Sequence, residues 1–249
     1  MTLIAVCGDA STTTSFALAA MWPDDGVVLF EADPSGGDLA AWLDVPEVPG
    51  VGSAVAVAPS GSWPVIETQL QTVRGIRVLV APIRASEASV AVREAAARLV
   101  PTMAALGMVT VVADCGRVVP GCVPSTVLDA GLIVVTVRQP SGSPRAAAAR
   151  LDRVTELVDI LCVADCEVVV VVVGEVPYTA AEIGFLLNGS TGRVPVLVLA
   201  NDPAGASLAG GRDRPGRGFQ RTALGRSAAT AAHELGVRIA ALRYVGVVV

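Results

Sequence analysis

The stretch LIAVCGDASTTTSFALAA, residues 3–20, places an apolar segment directly before a short loop and a helical pattern. Residues 3–6 are apolar throughout and predict a buried strand, and the pattern over 12–21 predicts a helix that begins with threonines. A strand, a tight loop and a helix with hydroxyl side chains in its first turn are typical of a phosphate-binding loop. This loop has one glycine, Gly8, and no lysine, so it is either a nucleotide site or the remains of one.

The composition favours a large α/β domain. The chain has 249 residues, of which 53% are hydrophobic and only 4% aromatic, and valine, alanine and leucine dominate the apolar part. Valine-rich runs suit parallel strands that are buried on both faces. The net charge of −5 argues against general nucleic-acid binding.

Apolar runs alternate with helical patterns along the whole chain. We predict strands near 2–7, 27–31, 76–81, 109–114, 132–137, 167–173 and 194–199. We predict helices near 12–21, 36–43, 63–73, 86–105, 122–129, 143–159, 179–187 and 222–235. This alternation predicts one domain over residues 1–249, a single doubly wound, mostly parallel sheet with helices on both faces. The segments 44–62 and 201–218 are rich in Pro, Gly and Ser and are predicted to be flexible loops.

Two further segments place acidic side chains at predicted strand ends. Residues 27–43, VVLFEADPSGGDLAAWL, end a strand in Glu31 and Asp33, followed by a Pro-Ser-Gly-Gly turn. Residues 109–116, VTVVADCG, end a strand in Asp114. A strand-terminal Asp of this kind helps to hold the Mg²⁺ ion in P-loop NTPases.

Together with the opening loop, these segments resemble the MinD/ParA family of P-loop ATPases, which position cell-division, partition and secretion or pilus machinery in bacteria. Residues 197–211, LVLANDPAGASLAGG, are similar to the family's late strand and the loop over the nucleotide base. The resemblance implies a P-loop NTPase fold and, if any cofactor binds, Mg-ATP or Mg-ADP. The residues that it assigns to nucleotide binding are Gly8, Thr12, Thr13, Asp33, Asp114 and Asn201, and those that it assigns to Mg²⁺ are Thr12, Asp33 and Asp114.

The phosphate-binding loop departs from the family pattern. The family's loop is K-G-G-x-G-K-T-T, whereas here the loop is about four residues shorter and the whole chain contains no lysine. Asp9 places a negative charge where a phosphate would lie, and two like charges at ~4–6 Å repel each other by about 1–4 kcal/mol. The valine strand at 168–173 also runs into Gly174-Glu175, where the family usually has an Asn that reads adenine. We therefore expect no cofactor, no catalytic residue and a nucleotide site that is vestigial or weak.

Each candidate residue also has a structural interpretation. The threonines 12–14 can cap the first helix, Asp33 can cap a helix over 36–43, and Asp114 can be a buried carboxylate that accepts backbone N–H groups. The five cysteines, at positions 7, 115, 122, 162 and 166, are expected to be free thiols.

Three functions are compatible with these patterns. We expect an ATPase-inactive assembly, scaffold or positioning factor that acts through protein contacts. The alternatives are an atypical Mg-nucleotide-binding switch or weak ATPase, and a subunit that pairs with a ParA-like ATPase or with itself through the loop face.

We also expect a cytoplasmic protein with no signal peptide and no membrane insertion. No apolar run reaches the ~18 residues of a membrane span, and residues 238–249, RIAALRYVGVVV, are predicted to be β-rich rather than an amphipathic helix. Nucleic acid is an unlikely partner, and the arginine cluster from Arg212 to Arg226 is the only candidate patch for it.

Overall fold

The computed structural model describes residues 2–24, 26–106, 109–164, 166–191, 194–210 and 218–245. Its centre is an eight-stranded sheet with the strand order β3-β4-β2-β5-β1-β6-β7-β8. All neighbouring strands are parallel except β3 and β4, which are antiparallel. The strands are β1 (Thr2–Gly8), β2 (Val27–Glu31), β3 (Gln71–Val73), β4 (Ile76–Leu79), β5 (Thr110–Asp114), β6 (Leu132–Arg138), β7 (Val168–Val173) and β8 (Val196–Leu199).

Helices connect the strands and cover the sheet. They are α1 (Ser11–Ala20), α2 (Leu39–Leu43), α3 (Val51–Val57), α4 (Trp63–Glu67), α5 (Ala85–Glu94), α6 (Val100–Leu106), α7 (Ser125–Leu128), α8 (Pro144–Val163), α9 (Ala180–Thr191), α10 (Pro203–Gly210) and α11 (Ala223–Val245). A π-helical turn, Ala95–Leu99, joins α5 to α6. No helix in the described part of the chain is long and apolar enough to cross a membrane.

The central strands are buried on both faces, so their side chains divide between two cores. Leu3, Ala5 and Cys7 of β1 contribute to the core that α3, α5, α8 and α9 cover. Ile4 and Val6 contribute to the core that α1, α2, α10 and α11 cover. The structure thus confirms the predicted doubly wound, mostly parallel sheet with helices on both faces.

The two segments predicted to be loops contain helices. Residues 51–57 form α3, and a 3-10 turn follows over Ala58–Ser60. Val51, Ala54 and Ala58 are buried at helical spacing, a signal that the surrounding prolines and glycines conceal. Residues 203–210 form α10, which begins with a proline, a residue favoured in the first helical turn. Residues 211–217 of that predicted loop lie outside the described residues.

Two other predictions of local structure were wrong. The helix predicted over 63–73 ends at Glu67, and β3 follows it, because Arg74 and Gly75 both have positive φ and form a tight hairpin turn onto β4. The β-rich segment predicted from residue 238 continues α11 as far as Val245. Leu235 and Ile239 are buried four positions apart, which keeps this stretch helical against the core.

Candidate functional site

The connection between β1 and α1 consists of only two residues, Asp9 and Ala10. Gly8, which precedes them, has φ +110°, and a Cβ atom there would lie 2.3 Å from the carbonyl oxygen of Thr136. The Gly8 N–H donates to the Gly116 carbonyl at 2.9 Å, and the Asp9 N–H donates to the Thr136 carbonyl at 3.1 Å. A phosphate-binding loop turns such N–H groups toward phosphate, whereas here both are used by neighbouring strand ends.

The Asp9 carboxylate is paired with two arginines. Its Oδ1 accepts a hydrogen bond from Nη2 of Arg117 at 2.8 Å, and its Oδ2 lies 3.3 Å from Nη1 of Arg150. Arg150 also donates to the carbonyl oxygen of Arg138 at 2.7 Å. The sequence indicated a bare negative charge at this position, but the structure compensates it with guanidinium groups from the segment after β5 and from α8.

Thr136 of β6 holds the backbone of this loop in place. Its hydroxyl oxygen lies 2.7 Å from the Asp9 carbonyl oxygen and 3.0 Å from that of Cys7. Sequence reasoning missed Thr136, Arg117 and Arg150. A polar residue within an otherwise apolar strand was the available signal for Thr136, while the two arginines carried none.

Asp114 is buried at the end of β5, beside the first turn of α1. The hydroxyls of Thr12 and Ser11 form hydrogen bonds to its carboxylate, and the Gly116 N–H donates to its Oδ1 at 3.2 Å. Burial raises the pKa of Asp114, and these hydrogen bonds oppose the rise. The buried-carboxylate interpretation therefore accounts for its contacts, with hydroxyl donors in addition to the backbone.

Asp33 lies near Asp114 but does not cap a helix. A Cβ on Gly116 would lie 2.0 Å from its Oδ2, so the carboxylate packs directly against that glycine. Its Oδ1 accepts hydrogen bonds from the backbone N–H and the hydroxyl of Ser35, at 2.8 and 2.6 Å. The proposed cap by Asp33 is wrong, and the helix begins at Leu39 rather than at residue 36.

Glu31 makes the contacts that hold this helix. Its Oε1 accepts the N–H groups of Asp38 and Leu39 at 2.6 and 2.7 Å, and its Oε2 accepts the N–H of Ala81 at 2.7 Å. Burial raises the pKa of Glu31 to about 7, although the three N–H groups act in the opposite direction. The side chain thereby joins the ends of β2 and β4 to the start of α2.

Thr13 and Asn201 line a neighbouring cavity of about 200 Å³ between α1 and the ends of β7 and β8. Arg138 and Asp202 line it as well. The structure therefore brings Gly8, Thr12, Asp33 and Asp114 together at the ends of three adjacent strands and places Thr13 and Asn201 beside them. This is the carboxyl edge of the sheet, where ligands bind in open α/β folds.

The edge offers oxygen atoms but only a partial fit to a Mg-nucleotide. Thr12, Asp33 and Asp114 carry the hard oxygen atoms that Mg²⁺ prefers, and the Thr12 hydroxyl is hydrogen-bonded to Asp114. Among the described residues, no group of three or more His, Cys, Asp or Glu side chains could hold a metal ion. The Thr13–Asn201 cavity has room for part of a ligand, but on the phosphate side the Gly8 and Asp9 amides bond to carbonyl oxygens and the chain has no lysine to supply.

Several solved structures have the same fold as this chain. A ParA family ATPase from Chlorobium tepidum matches with a TM-score of 0.71 and 12% identity over 94% of this chain and 98% of its own. MinD from Pyrococcus horikoshii, complexed with Mg-ADP, gives a TM-score of 0.68 and 14% identity over 94% and 95%. A MinC:MinD cell division complex from Aquifex aeolicus gives 0.61 and 15% over 94% and 95%.

No protein-family model matches the sequence, and no curated protein matches it. At these identities the structural likeness establishes the fold alone. That fold is the one seen in the ParA and MinD ATPase structures, as the three sequence segments predicted.

Proposed function

We propose that this chain, which has the fold of the ParA and MinD ATPases, does not hydrolyse ATP and acts in the cytoplasm as an assembly, scaffold or positioning factor through protein contacts. The observation that carries the proposal is the Asp9 carboxylate, which lies in the two-residue β1–α1 loop and is bound by Arg117 and Arg150. The loop thus carries the protein's own anion where a phosphate would lie, and its charge opposes the binding of a triphosphate.

A bound nucleotide would have to overcome three local costs. Its phosphates would face Asp9, and like charges at this range cost about 1–4 kcal/mol. The Gly8 and Asp9 amides would have to leave their carbonyl partners. The chain contains no lysine to hold the β- and γ-phosphates, and the N-terminus of α1 would supply only about 0.3–1 kcal/mol in compensation.

Protein contacts are the second part of the proposal. One solved structure of this fold is a complex between MinD and another protein, MinC, so the fold is compatible with a docking partner. The short loop is not expected to bind a nucleotide, so no nucleotide would lie between the loop face and a partner. We propose that this face packs constitutively, either against a second copy or against a ParA-like ATPase.

Calorimetry tests the first part. Protein stripped of carried-over ligand is titrated with ATP, ADP and GTP in the presence of Mg²⁺, and phosphate release is measured in parallel. We expect no heat at high-micromolar nucleotide and no turnover. Binding at low-micromolar concentration, with Mg²⁺-dependent turnover that the substitution Asp114→Ala abolishes, would overturn the proposal.

Light scattering on a size-exclusion column tests the second part. A nucleotide-independent dimer that the loop-face substitution Arg117→Ala weakens is the expected result for self-association. The matched control is a substitution at an exposed site on a distant element, such as Glu87→Gln in α5. A monomer that also fails to bind any ParA-like ATPase would contradict the proposed constitutive packing.

One observation favours a second function, an atypical nucleotide-binding switch. Arg117 and Arg150 converge on the loop, and either could take the place of the missing lysine if Asp9 moved away. Thr12, Asp33 and Asp114 would then hold Mg²⁺. In that case Mg-ATP would raise the melting temperature, since ligand at about 100 times its Kd stabilises a protein by about 2.7 kcal/mol.

A further inference from the structure

A second cavity of about 190 Å³ lies between α8, the segment that follows β5 and the β1–α1 loop, of which Gly8 and Asp9 line it. Its charged wall consists of Arg117, Arg150 and Arg153, and its apolar wall includes Val118, Val154 and Leu157. Leu157 belongs to the core on the α8 face of the sheet, whereas α1 packs on the opposite face. The cavity is therefore distinct from the one that Thr13 and Asn201 line.

The charge of this cavity is unbalanced. Its lining residues include three arginines and a single acidic residue, Asp9. Arg117 and Arg150 pair with Asp9, while Arg153 forms no ion pair with any residue that the structure describes. With every group ionised, the lining carries two positive charges in excess, in a protein whose net charge is −5.

Part of the existing pairing can be exchanged for a ligand at low cost. The Arg117 side chain is 77% exposed, and exposed ion pairs contribute little to stability because water screens them. Arg150 is more firmly placed, since it also donates to the Arg138 carbonyl oxygen. Arg150 and Arg153 are three positions apart on α8 and therefore project from the same side of that helix.

We propose that this cavity binds a small organic dianion whose acidic groups contact Arg117, Arg150 and Arg153 and whose apolar body contacts Val118, Val154 and Leu157. Guanidinium groups bind carboxylates and phosphates in the same planar, two-pronged way, so the shared chemistry is that of a phosphate monoester or a dicarboxylate. The inference goes beyond the proposed function, because it requires neither a nucleotide nor a protein partner.

Asp9 has a defined part in this site. Its carboxylate competes with the ligand for Arg117 and Arg150 and keeps both side chains oriented toward the cavity when no ligand is bound. Asp9→Asn removes the competing charge, while Arg150 keeps its hydrogen bond to the Arg138 carbonyl oxygen. The variant is therefore expected to bind dianions more tightly than the wild-type protein.

The test uses phenyl phosphate and phthalate as probes, in calorimetry and in thermal-shift assays at low salt. We expect saturable binding of at least one probe with a Kd below about 1 mM. Arg153→Gln should weaken it about tenfold through the loss of a charged hydrogen bond, and Arg145→Gln, at an exposed position earlier in α8, should not. Asp9→Asn should tighten it several-fold, and circular dichroism establishes that each variant is folded.

The outcomes separate the ligand sources and the two proposals. Binding of phenyl phosphate alone supports a phosphate monoester, and binding of phthalate alone supports a dicarboxylate. No saturable binding of either probe, or binding that Arg153→Gln leaves unchanged, would overturn the inference. Inorganic phosphate that binds as tightly as phenyl phosphate would also contradict it, because the apolar wall would then contribute nothing. Titration of the Arg153→Gln variant with ATP tests the proposed function separately, because this variant lacks one of the three arginines of the cavity.

Discussion

Glu31 should make the stability of this protein fall as the pH rises through the neutral range. The carboxyl group is buried, and its pKa is raised from 4.5 to about 7, chiefly by loss of solvent. Between these two values the folded protein keeps the proton that the unfolded chain releases, so the folded state binds more protons and loses stability with rising pH. At about 1.4 kcal/mol per pH unit, the loss attributable to Glu31 is about 3 kcal/mol over this window.

The substitution Glu31→Gln isolates this contribution because the amide does not titrate. It also costs about 1–3 kcal/mol at every pH, since an amide nitrogen cannot accept the Ala81 N–H that Oε2 accepts in the wild type. The variant should therefore be clearly less stable than the wild type at pH 5.0. By pH 7.5 that gap should narrow by about 2–3 kcal/mol.

Urea unfolding of the wild type and of Glu31→Gln at pH 5.0 and 7.5 measures both effects, the constant cost of the lost Ala81 hydrogen bond and the pH-dependent contribution of the Glu31 proton. Glu87→Gln, which removes an exposed carboxylate from α5, is the matched control and should follow the wild-type pH profile. Parallel pH profiles for the wild type and Glu31→Gln would refute the reasoning. They would mean that the three N–H donors outweigh burial and keep the carboxylate ionised in the folded state.

Two further substitutions test the contacts that shape the edge of the sheet. Gly8→Ala should lower stability by at least about 2 kcal/mol in thermal unfolding, because φ is +110° and the new Cβ would meet the Thr136 carbonyl oxygen, whereas Gly142→Ala, in open space, should change it little. Equal melting temperatures for the two variants would contradict this. Gln139→Leu should lower the free energy of unfolding by about 2–4 kcal/mol, since the buried Gln139 amide forms hydrogen bonds with the Tyr178 N–H and with two carbonyl oxygens in the segment after β7. The same substitution should expose that segment to proteases. Unchanged proteolysis would count against this role of Gln139.

The sequence pattern predicted the secondary structure correctly where a run of consecutive apolar residues forms a buried strand. The apolar run of β1 and the valine run of β7 are buried along their length, and both were predicted from their consecutive apolar residues. Pattern was a poor guide where turn-forming residues and a helix share a segment. Residues 51–57 were predicted to be part of a loop because of the surrounding prolines and glycines, yet Val51 and Ala54 are buried in the core.

The sequence predicted only part of the candidate site. Strand-terminal Asp114 and Asp33 could be identified from sequence, because the carboxyl ends of parallel strands meet at one edge. The capping role went to Glu31 instead of Asp33, since that role depends on which backbone N–H groups face the side chain. Ala81, one of the three donors, lies 50 positions away in the chain.

The sequence by itself determined the positions of seven strands, all those described except β3, together with the short β1–α1 connection and the absence of lysine, since these depend only on which residues follow one another. Only the tertiary structure decided what the short connection binds. Arg117 reaches Asp9 across 108 positions of sequence, because β5 is placed beside β1 in the sheet. Arg150 reaches Asp9 from α8, which packs on one face of the sheet while α1 packs on the other. Strand order and helix packing are set by the summed burial of two cores, and for that reason no local motif could reveal that the acidic loop would be paired.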